Sequence, residues 1–242
     1  MNCPRCNANV AFSKKRCDNC GQDLKNYRRV VGLSNIYYNK GLSQAKVRDL
    51  SGAISSLKLS LQFNKLNTNA RNLLGLVYLE EGEIVSALSE WVISKHYQSE
   101  NNDAEDYIKM IQSNPNKLET YNQTIRKYNS ALNSAKHGDE DMAIIQLKKV
   151  VNLNPKFIRA HQLLALLYMM SGKKDNRVKA LKLLRNISQI DVTNTTTLRY
   201  MKELSDVHIR GESPKVQPKV VKKEPERRTL PQVDPDAYKT IT

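Results

Sequence analysis

The stretch LLGLVYLEEGEIVSALSEWVISKHYQ, residues 73–98, carries apolar side chains at helical spacing on both sides of Gly82. Two helices joined at Gly82 are predicted, because glycine readily adopts the left-handed conformation that ends a helix. The small residues Gly75 and Ala87 allow the two helices to approach each other closely. A single hairpin of this size cannot bury its apolar face alone, so further copies are expected along the chain.

The hairpin recurs at two periods. Gly41 lies 34 residues before Gly75, and Ala53 lies 34 residues before Ala87. A shift of 90 residues then superimposes the first two hairpins on two later ones, at Tyr38 and Tyr128, Leu42 and Leu132, Ala53 and Ala143, Ala70 and Ala160, and Gly82 and Gly172. Because self-similarity at such periods is typical of stacked helical repeats, the sequence indicates a duplicated pair of repeats.

The second copy resembles the tetratricopeptide repeat, although Arg71 replaces the signature tryptophan of that family and Ser99 replaces its proline. The signature positions that match are Leu74, Gly75, Tyr78, Gly82, Ala87 and Trp91. The resemblance implies an all-α fold: a right-handed helical solenoid whose concave face is lined by the first helix of each repeat. It also implies a protein or peptide partner, bound in the concave groove.

Four cysteines, and the only ones in the chain, lie within the first twenty residues: Cys3, Cys6, Cys17 and Cys20. Two C-x-x-C pairs separated by ten residues have the spacing of a four-thiolate Zn²⁺ site, and this stretch resembles the small zinc-ribbon domains. Disulfides and a redox dithiol are the alternatives. The first needs an oxidising compartment, while the position of Cys3 leaves no space for a signal peptide before it, and the second normally needs a βαβ context.

Four parts of the chain are therefore expected. They are a zinc ribbon at residues 1–25, a first repeat pair with an inserted helix at 30–114, a second repeat pair with a terminal helix at 117–210, and a disordered tail rich in proline and lysine at 211–242. A structural zinc site is consistent with the length of the ribbon, because about 25 residues cannot fold on apolar burial alone.

The formal net charge of +15 is compatible with an anionic partner: nucleic acid, an anionic membrane surface or an acidic protein. Because many of the basic residues are spread along the predicted helices, a solvated surface is the favoured alternative. The most apolar stretch, residues 160–170, is about half the length that a bilayer requires, so no membrane span and a cytoplasmic location are expected. No nucleotide-binding or catalytic motif is present, and the four histidines lie in separate segments, so the chain is predicted not to be an enzyme.

The resemblance to tetratricopeptide repeats also implies which residues face a bound peptide. The expected contacts are Asn35, Tyr38, Leu42, Asn69, Asn72, Leu76, Tyr128, Leu132, Arg159, Gln162, Leu166 and Met169, together with Leu79 and Ile125. Asparagine and glutamine can bind a peptide backbone of any sequence, whereas leucine and methionine offer adaptable apolar contact. The leucines have an equally good alternative role, which is packing between adjacent repeats.

Two functions remain open from the sequence. The first is a non-enzymatic adaptor, or scaffold, with the ribbon as a second docking module. The second is a protein that contacts nucleic-acid phosphates through its basic ribbon, at Lys14, Lys15, Arg16, Arg28 and Arg29. The adaptor is favoured because Phe12 is the only aromatic residue in the ribbon, and base stacking needs exposed rings.

Overall fold

The computed structural model describes the backbone of residues 1–210 and the side chains of residues 1–206 apart from Lys117. The predicted tail, residues 211–242, lies outside the described residues. Within the described part, ten helices follow a short ribbon: α1 Lys25–Lys46, α2 Leu50–Phe63, α3 Thr68–Glu80, α4 Ile84–Tyr97, α5 Ala104–Gln112, α6 Pro115–Lys136, α7 Glu140–Leu153, α8 Ile158–Met170, α9 Lys174–Ile190 and α10 Thr195–Arg210. The prediction of an all-α fold is confirmed.

The helices pack in hairpins, which are α1 with α2, α3 with α4, α6 with α7, and α8 with α9. Apolar residues of consecutive hairpins share a core, with Leu57 of α2 against Leu74 of α3, and Leu147 of α7 against Leu164 of α8. The α5 segment, predicted as an inserted helix, packs against Trp91 of α4 and is followed directly by α6. The result is a stack of repeats held by neighbour contacts.

Each hairpin turns through one residue in the left-handed region. Glycine occupies this position in three of the four turns, at Gly82 (φ 77°), Gly138 (φ 82°) and Gly172 (φ 67°). In the first hairpin the same position is Arg48, with φ 60°. An asparagine or aspartate often begins the next helix by accepting a backbone N–H, as Asp49 does from Gly52 at the start of α2.

The two repeat pairs also contact each other outside the stacking order. The turn between α1 and α2 meets the loop between α9 and α10, where the Val192 N–H donates to the Arg48 carbonyl at 3.0 Å. The buried Asp191 accepts from the backbone N–H of Leu50, also at 3.0 Å, and from the hydroxyl of Ser51. The carboxylate of Asp191 therefore caps α2 of the first pair from a loop of the second pair.

The second turn of the first pair makes an equivalent contact with the loop between α7 and α8. The Asn154 amide donates to the Gly82 carbonyl at 3.0 Å, and the Ile158 N–H donates to the Glu81 carbonyl at 3.2 Å. Arg159 pairs with Glu83 at 2.7 Å. The hairpin turns of the first pair thus rest on the loops between helices of the second pair.

Candidate functional site

The ribbon consists of two knuckles with the same backbone hydrogen bonds, related by a shift of fourteen residues in the sequence. In the first knuckle the Asn7 N–H donates to the Cys3 carbonyl at 3.0 Å, and in the second the Gly21 N–H donates to the Cys17 carbonyl at 2.9 Å. Both Asn7 and Gly21 have positive φ, 57° and 70°. Asparagine and glycine are residue types that adopt this conformation, which closes each knuckle around its cysteines.

The knuckles bring all four sulfurs together. The Sγ atoms of Cys3, Cys6, Cys17 and Cys20 lie within 4.8 Å of one another, and the Cys3–Cys20 and Cys6–Cys17 separations are both 3.6 Å. Four thiolates around a tetrahedral Zn²⁺ at about 2.3 Å have sulfurs about 3.8 Å apart, so the donor set and its spacing fit zinc. Among the described residues, no other group of three or more histidine, cysteine, aspartate or glutamate side chains converges in this way.

The electrostatics of the cluster also favour a bound cation. The Ala8 N–H donates to the Cys6 thiolate and, with the Asn19 side chain, lowers the pKa of Cys6 to about 6. The Gln22 N–H lowers the pKa of Cys20, but burial and the three neighbouring sulfurs outweigh it and raise that pKa to about 12. Repulsion between neighbouring sulfurs therefore opposes full deprotonation of the cluster, and a cation at its centre would relieve that repulsion.

The outer surface of the ribbon is basic and carries one exposed ring. Lys14, Lys15 and Arg16 are exposed, and Lys14 pairs with Asp18 at 3.4 Å. The Phe12 side chain is 46% exposed, and the Arg28 guanidinium lies 5.4 Å from the centre of its ring. The basic surface predicted from the sequence is therefore accessible in part, with a stacked arginine and phenylalanine at its edge.

The residues expected to contact a peptide fall into sets that repeat along the stack. The first set holds Asn35, Asn69, Ile125 and Arg159, at equivalent positions of α1, α3, α6 and α8. Asn35, Asn69 and Arg159 are exposed, and Ile125 is half-buried. This is the most accessible row among the expected contacts.

The members of the second set, which are Tyr38, Asn72, Tyr128 and Gln162, make their contacts within the stack of helices. Asn72 was expected to contact a bound peptide, but it is buried, with 8% of its surface accessible, and its amide donates to Asn102 at 2.7 Å. Gln162, at the equivalent position of α8, is half-buried and donates to Asn194 at 2.7 Å. The expectation of two free amides in the groove was wrong, because each amide ties its helix to the loop that follows its hairpin.

The other two members of the second set are aromatic. Tyr38 is half-buried and packs against the core of the first pair, and Tyr128 packs against Phe157 with ring centres 4.8 Å apart. Burial raises the pKa of Tyr128. The two tyrosines present only part of each ring to a ligand.

The third set contains the four leucines Leu42, Leu76, Leu132 and Leu166, and all four are half-buried. Leu76 and Leu79 pack against the cluster around Trp91, and Met169 packs against the core of the second pair. Leu76 therefore contributes to packing and keeps part of its surface accessible. Both roles remain open for Leu42, Leu132 and Leu166, which are half-buried.

Three of the expected contact residues line one cavity. Ile125, Tyr128 and Arg159 surround a space of about 250 Å³ together with Glu83 and residues 84–86 of α4. Glu83 carries a raised pKa because of its burial, and Arg159 opposes that shift. The cavity lies where the second hairpin of the first pair meets the second pair, a place that the repeat pattern did not predict.

No helix in the described part of the chain is both long and apolar enough to cross a bilayer. No protein-family model matches the sequence. No curated protein matches it either. Solved structures with a similar fold include two that are described as a TPR protein or a TPR domain.

Three of these structures illustrate the likeness. One is YrrB, described as a TPR protein with an unusual peptide-binding site, with 20% identity over 69% of this chain and 90% of that chain and a TM-score of 0.30. The TPR domain of P58(IPK) has 16% identity over 76% of this chain and 58% of that chain, with a TM-score of 0.34. A structure of MamA has 23% identity over 65% of this chain and 91% of that chain, with a TM-score of 0.29.

Proposed function

We propose that this protein is a non-enzymatic adaptor that binds an extended segment of a partner protein along α1, α3, α6 and α8. The observation that carries the proposal is the row of side chains at Asn35, Asn69 and Arg159, which occupy equivalent positions and remain exposed. Side-chain amides can donate to and accept from a peptide backbone. The Arg159 guanidinium pairs with Glu83 through Nε, and its other N–H groups could bind a carboxylate of the partner. The half-buried leucines beside this row add apolar contact.

A photo-cross-linking amino acid at position 69 tests this proposal, with the same amino acid at Ser55 on α2 as the matched control. Both positions are exposed, and they lie on the first and second helices of their hairpins. A partner cross-linked from position 69 and not from position 55, and lost when Asn35 and Arg159 become alanine, would support the adaptor. Equal cross-linking from both positions would place the contact away from the proposed face.

We further propose that the ribbon holds one structural Zn²⁺ through Cys3, Cys6, Cys17 and Cys20. All four coordination positions are then filled by protein, so the metal has no open position for substrate and stabilises the fold of the ribbon. The ribbon follows directly into α1, since Leu24 belongs to the core of the ribbon and α1 begins at Lys25. The folded ribbon is therefore presented at the start of the first repeat, where it can act as the second docking module.

Nucleic-acid binding by the ribbon is the second candidate, favoured by the exposed Phe12 beside Arg28. A positive surface with an accessible ring is the combination that binds single strands. Neutralising Lys14, Lys15, Arg16, Arg28 and Arg29 together tests it. Tight binding of a single-stranded RNA that falls with salt and is lost in this variant would favour the second candidate over the adaptor.

A further inference from the structure

The groove between α9 and α10 corresponds to a groove of the first repeat pair that is already filled. A shift of 93 residues superimposes α4 and α5 on α9 and α10, and buried residues coincide: Ala87 with Ala180, Trp91 with Leu184, Ala104 with Thr197, and Ile111 with Leu204. In the first pair, Leu118 and Tyr121 of α6 pack against this cluster. The protein therefore shows which kind of element covers such a groove: the first turns of a helix with apolar residues one turn apart.

The equivalent groove of the second pair is open in the described structure. In the first pair, helix α5 ends at Gln112 and the chain turns into α6. In the second pair, α10 continues past the equivalent position, Ser205, to Arg210. The open groove has a volume of about 880 Å³, and its apolar surface comes from Val178, Leu181, Met201 and Leu204. Val178 is 68% exposed.

The open groove also differs from its filled counterpart in charge. Arg177 stands where the first pair has Ile84, and Arg185 stands where it has Val92. Among the described side chains, Lys174 and Lys202 complete a rim of four basic residues, and none of those that line the groove is a carboxylate. Arg177 Nη2 is shielded from solvent and has no hydrogen-bond partner among the residues whose side chains the structure describes. A carboxylate entering the groove would supply the partner that this guanidinium lacks.

We propose that this groove binds an amphipathic helix of a partner protein, with apolar residues one turn apart that take the places of Leu118 and Tyr121, and with acidic residues that face Arg177 and Arg185. The groove lies on α9 and α10, so it is separate from the face assigned to the adaptor on α1, α3, α6 and α8. The sequence that follows α10 is itself basic and does not complement the charge of the groove, since residues 215–228 contain six lysines and arginines and two glutamates. An acidic helix is the complementary occupant.

Fluorescence anisotropy with a labelled synthetic peptide tests the proposal on the full chain. The probe is a helix of about 18 residues built from alanine and glutamate, with one leucine and one tyrosine spaced as in α6. The wild-type protein is expected to bind it, and the Arg177→Glu/Arg185→Glu variant and a probe with glutamine for glutamate should each weaken binding by about tenfold or more. Lys182→Glu, an equal change of charge on an exposed position of α9 outside the groove, should change binding by less than about twofold.

Two further measurements separate the alternatives. Arg185 is exposed, so the single variant Arg185→Glu is expected to have the same melting temperature as the wild type. A loss of peptide binding in this variant could then not be due to unfolding. No binding by the wild-type chain, or equal loss in Lys182→Glu, overturns the proposal. Displacement of the probe by a peptide of residues 229–242 would assign the groove to this chain itself, and a dimer that Arg185→Glu dissociates would assign it to a second copy; either overturns it.

Discussion

Gly82 and Phe157 are in direct backbone contact across the two repeat pairs. A Cβ atom on Gly82 would lie 2.7 Å from the Cα atom and from the backbone nitrogen of Phe157. Glycine at position 82 therefore has two independent roles. It adopts the positive φ that the hairpin turn needs, and it leaves space for the loop between α7 and α8.

Gly82→Ala should destabilise the protein by about 3 kcal/mol or more, because the strain of a left-handed alanine adds to a clash with backbone that cannot move aside. Gly138→Ala is the matched control, since Gly138 has a similar φ of 82° and open space where a Cβ would stand. Only the conformational cost applies there, about 1 kcal/mol. If urea unfolding showed the same loss of unfolding free energy for both variants, the contact between the repeat pairs would be contradicted.

Glu81 makes the junction between the pairs sensitive to pH. Burial, with repulsion from Asp191 and Glu83, raises the pKa of Glu81 from 4.5 to about 7. Between these values the folded protein retains a proton that the unfolded chain has released, so the contribution of Glu81 to stability falls as pH rises through this window. Glu81→Gln should therefore raise the melting temperature at pH 8 and change it little at pH 4.

The control for this effect is Glu80→Gln. Glu80 is adjacent in sequence and forms partly exposed ion pairs with Lys156 and Arg48. Its loss should cost up to about 1 kcal/mol, without a gain at high pH. A Glu81→Gln variant that gains no stability between pH 5 and pH 8 would show that the carboxylate is solvated in the folded protein.

Asn72→Ala should cost about 1–3 kcal/mol, because the buried amide that donates to Asn102 is lost and the side-chain carbonyl of Asn102 keeps only the Ala104 N–H as a donor. Asn69→Ala, on the exposed side of the same helix, should change stability by no more than about 0.5 kcal/mol. Chemical unfolding of the two variants measures the difference. A double-mutant cycle with Asn102→Ala should be non-additive, and additive losses would rule out the direct interaction.

The purified protein should contain one zinc ion per chain by elemental analysis, and Cys17→Ser should lose it because a closed four-thiolate site needs all its ligands. Chelation should unfold the ribbon and leave most of the helical circular-dichroism signal. Ser13→Ala, an exposed change within the ribbon, is the control and should retain the metal. Unchanged zinc content in Cys17→Ser would refute the assigned ligands.

The repeat period made most of the helical pairing predictable, because close packing between helices restricts residue type at fixed positions. A Cβ on Gly75 would lie 2.3 Å from Trp91 Nε1, which is the close approach inferred from the sequence. Arg71, which replaces the signature tryptophan, lies over the Tyr97 ring at 5.3 Å and pairs with Glu90 at 2.8 Å. The departure from the family pattern is therefore accommodated by polar contacts within the same hairpin.

The polar face of the stack was less predictable. Asn69 and Asn72 are the same residue type three positions apart, yet one is exposed and the other is buried against Asn102. That distinction depends on the loop after α4, whose conformation carries no periodic signal. Asp191 is a similar case, because an aspartate in a loop gave no indication that it caps a helix some 140 residues earlier in the chain.

The contacts of Asp191 with α2 and of Phe157 with Gly82 have a consequence for how the molecule responds to force. An ordinary solenoid behaves as a spring, since each repeat contacts only its neighbours and can loosen one at a time. Here both hairpin turns of the first pair are hydrogen-bonded to loops of the second pair. Separating the first two repeats therefore also breaks bonds to the second pair. Stretching in an optical trap should therefore show one large, cooperative unfolding step rather than a series of small steps.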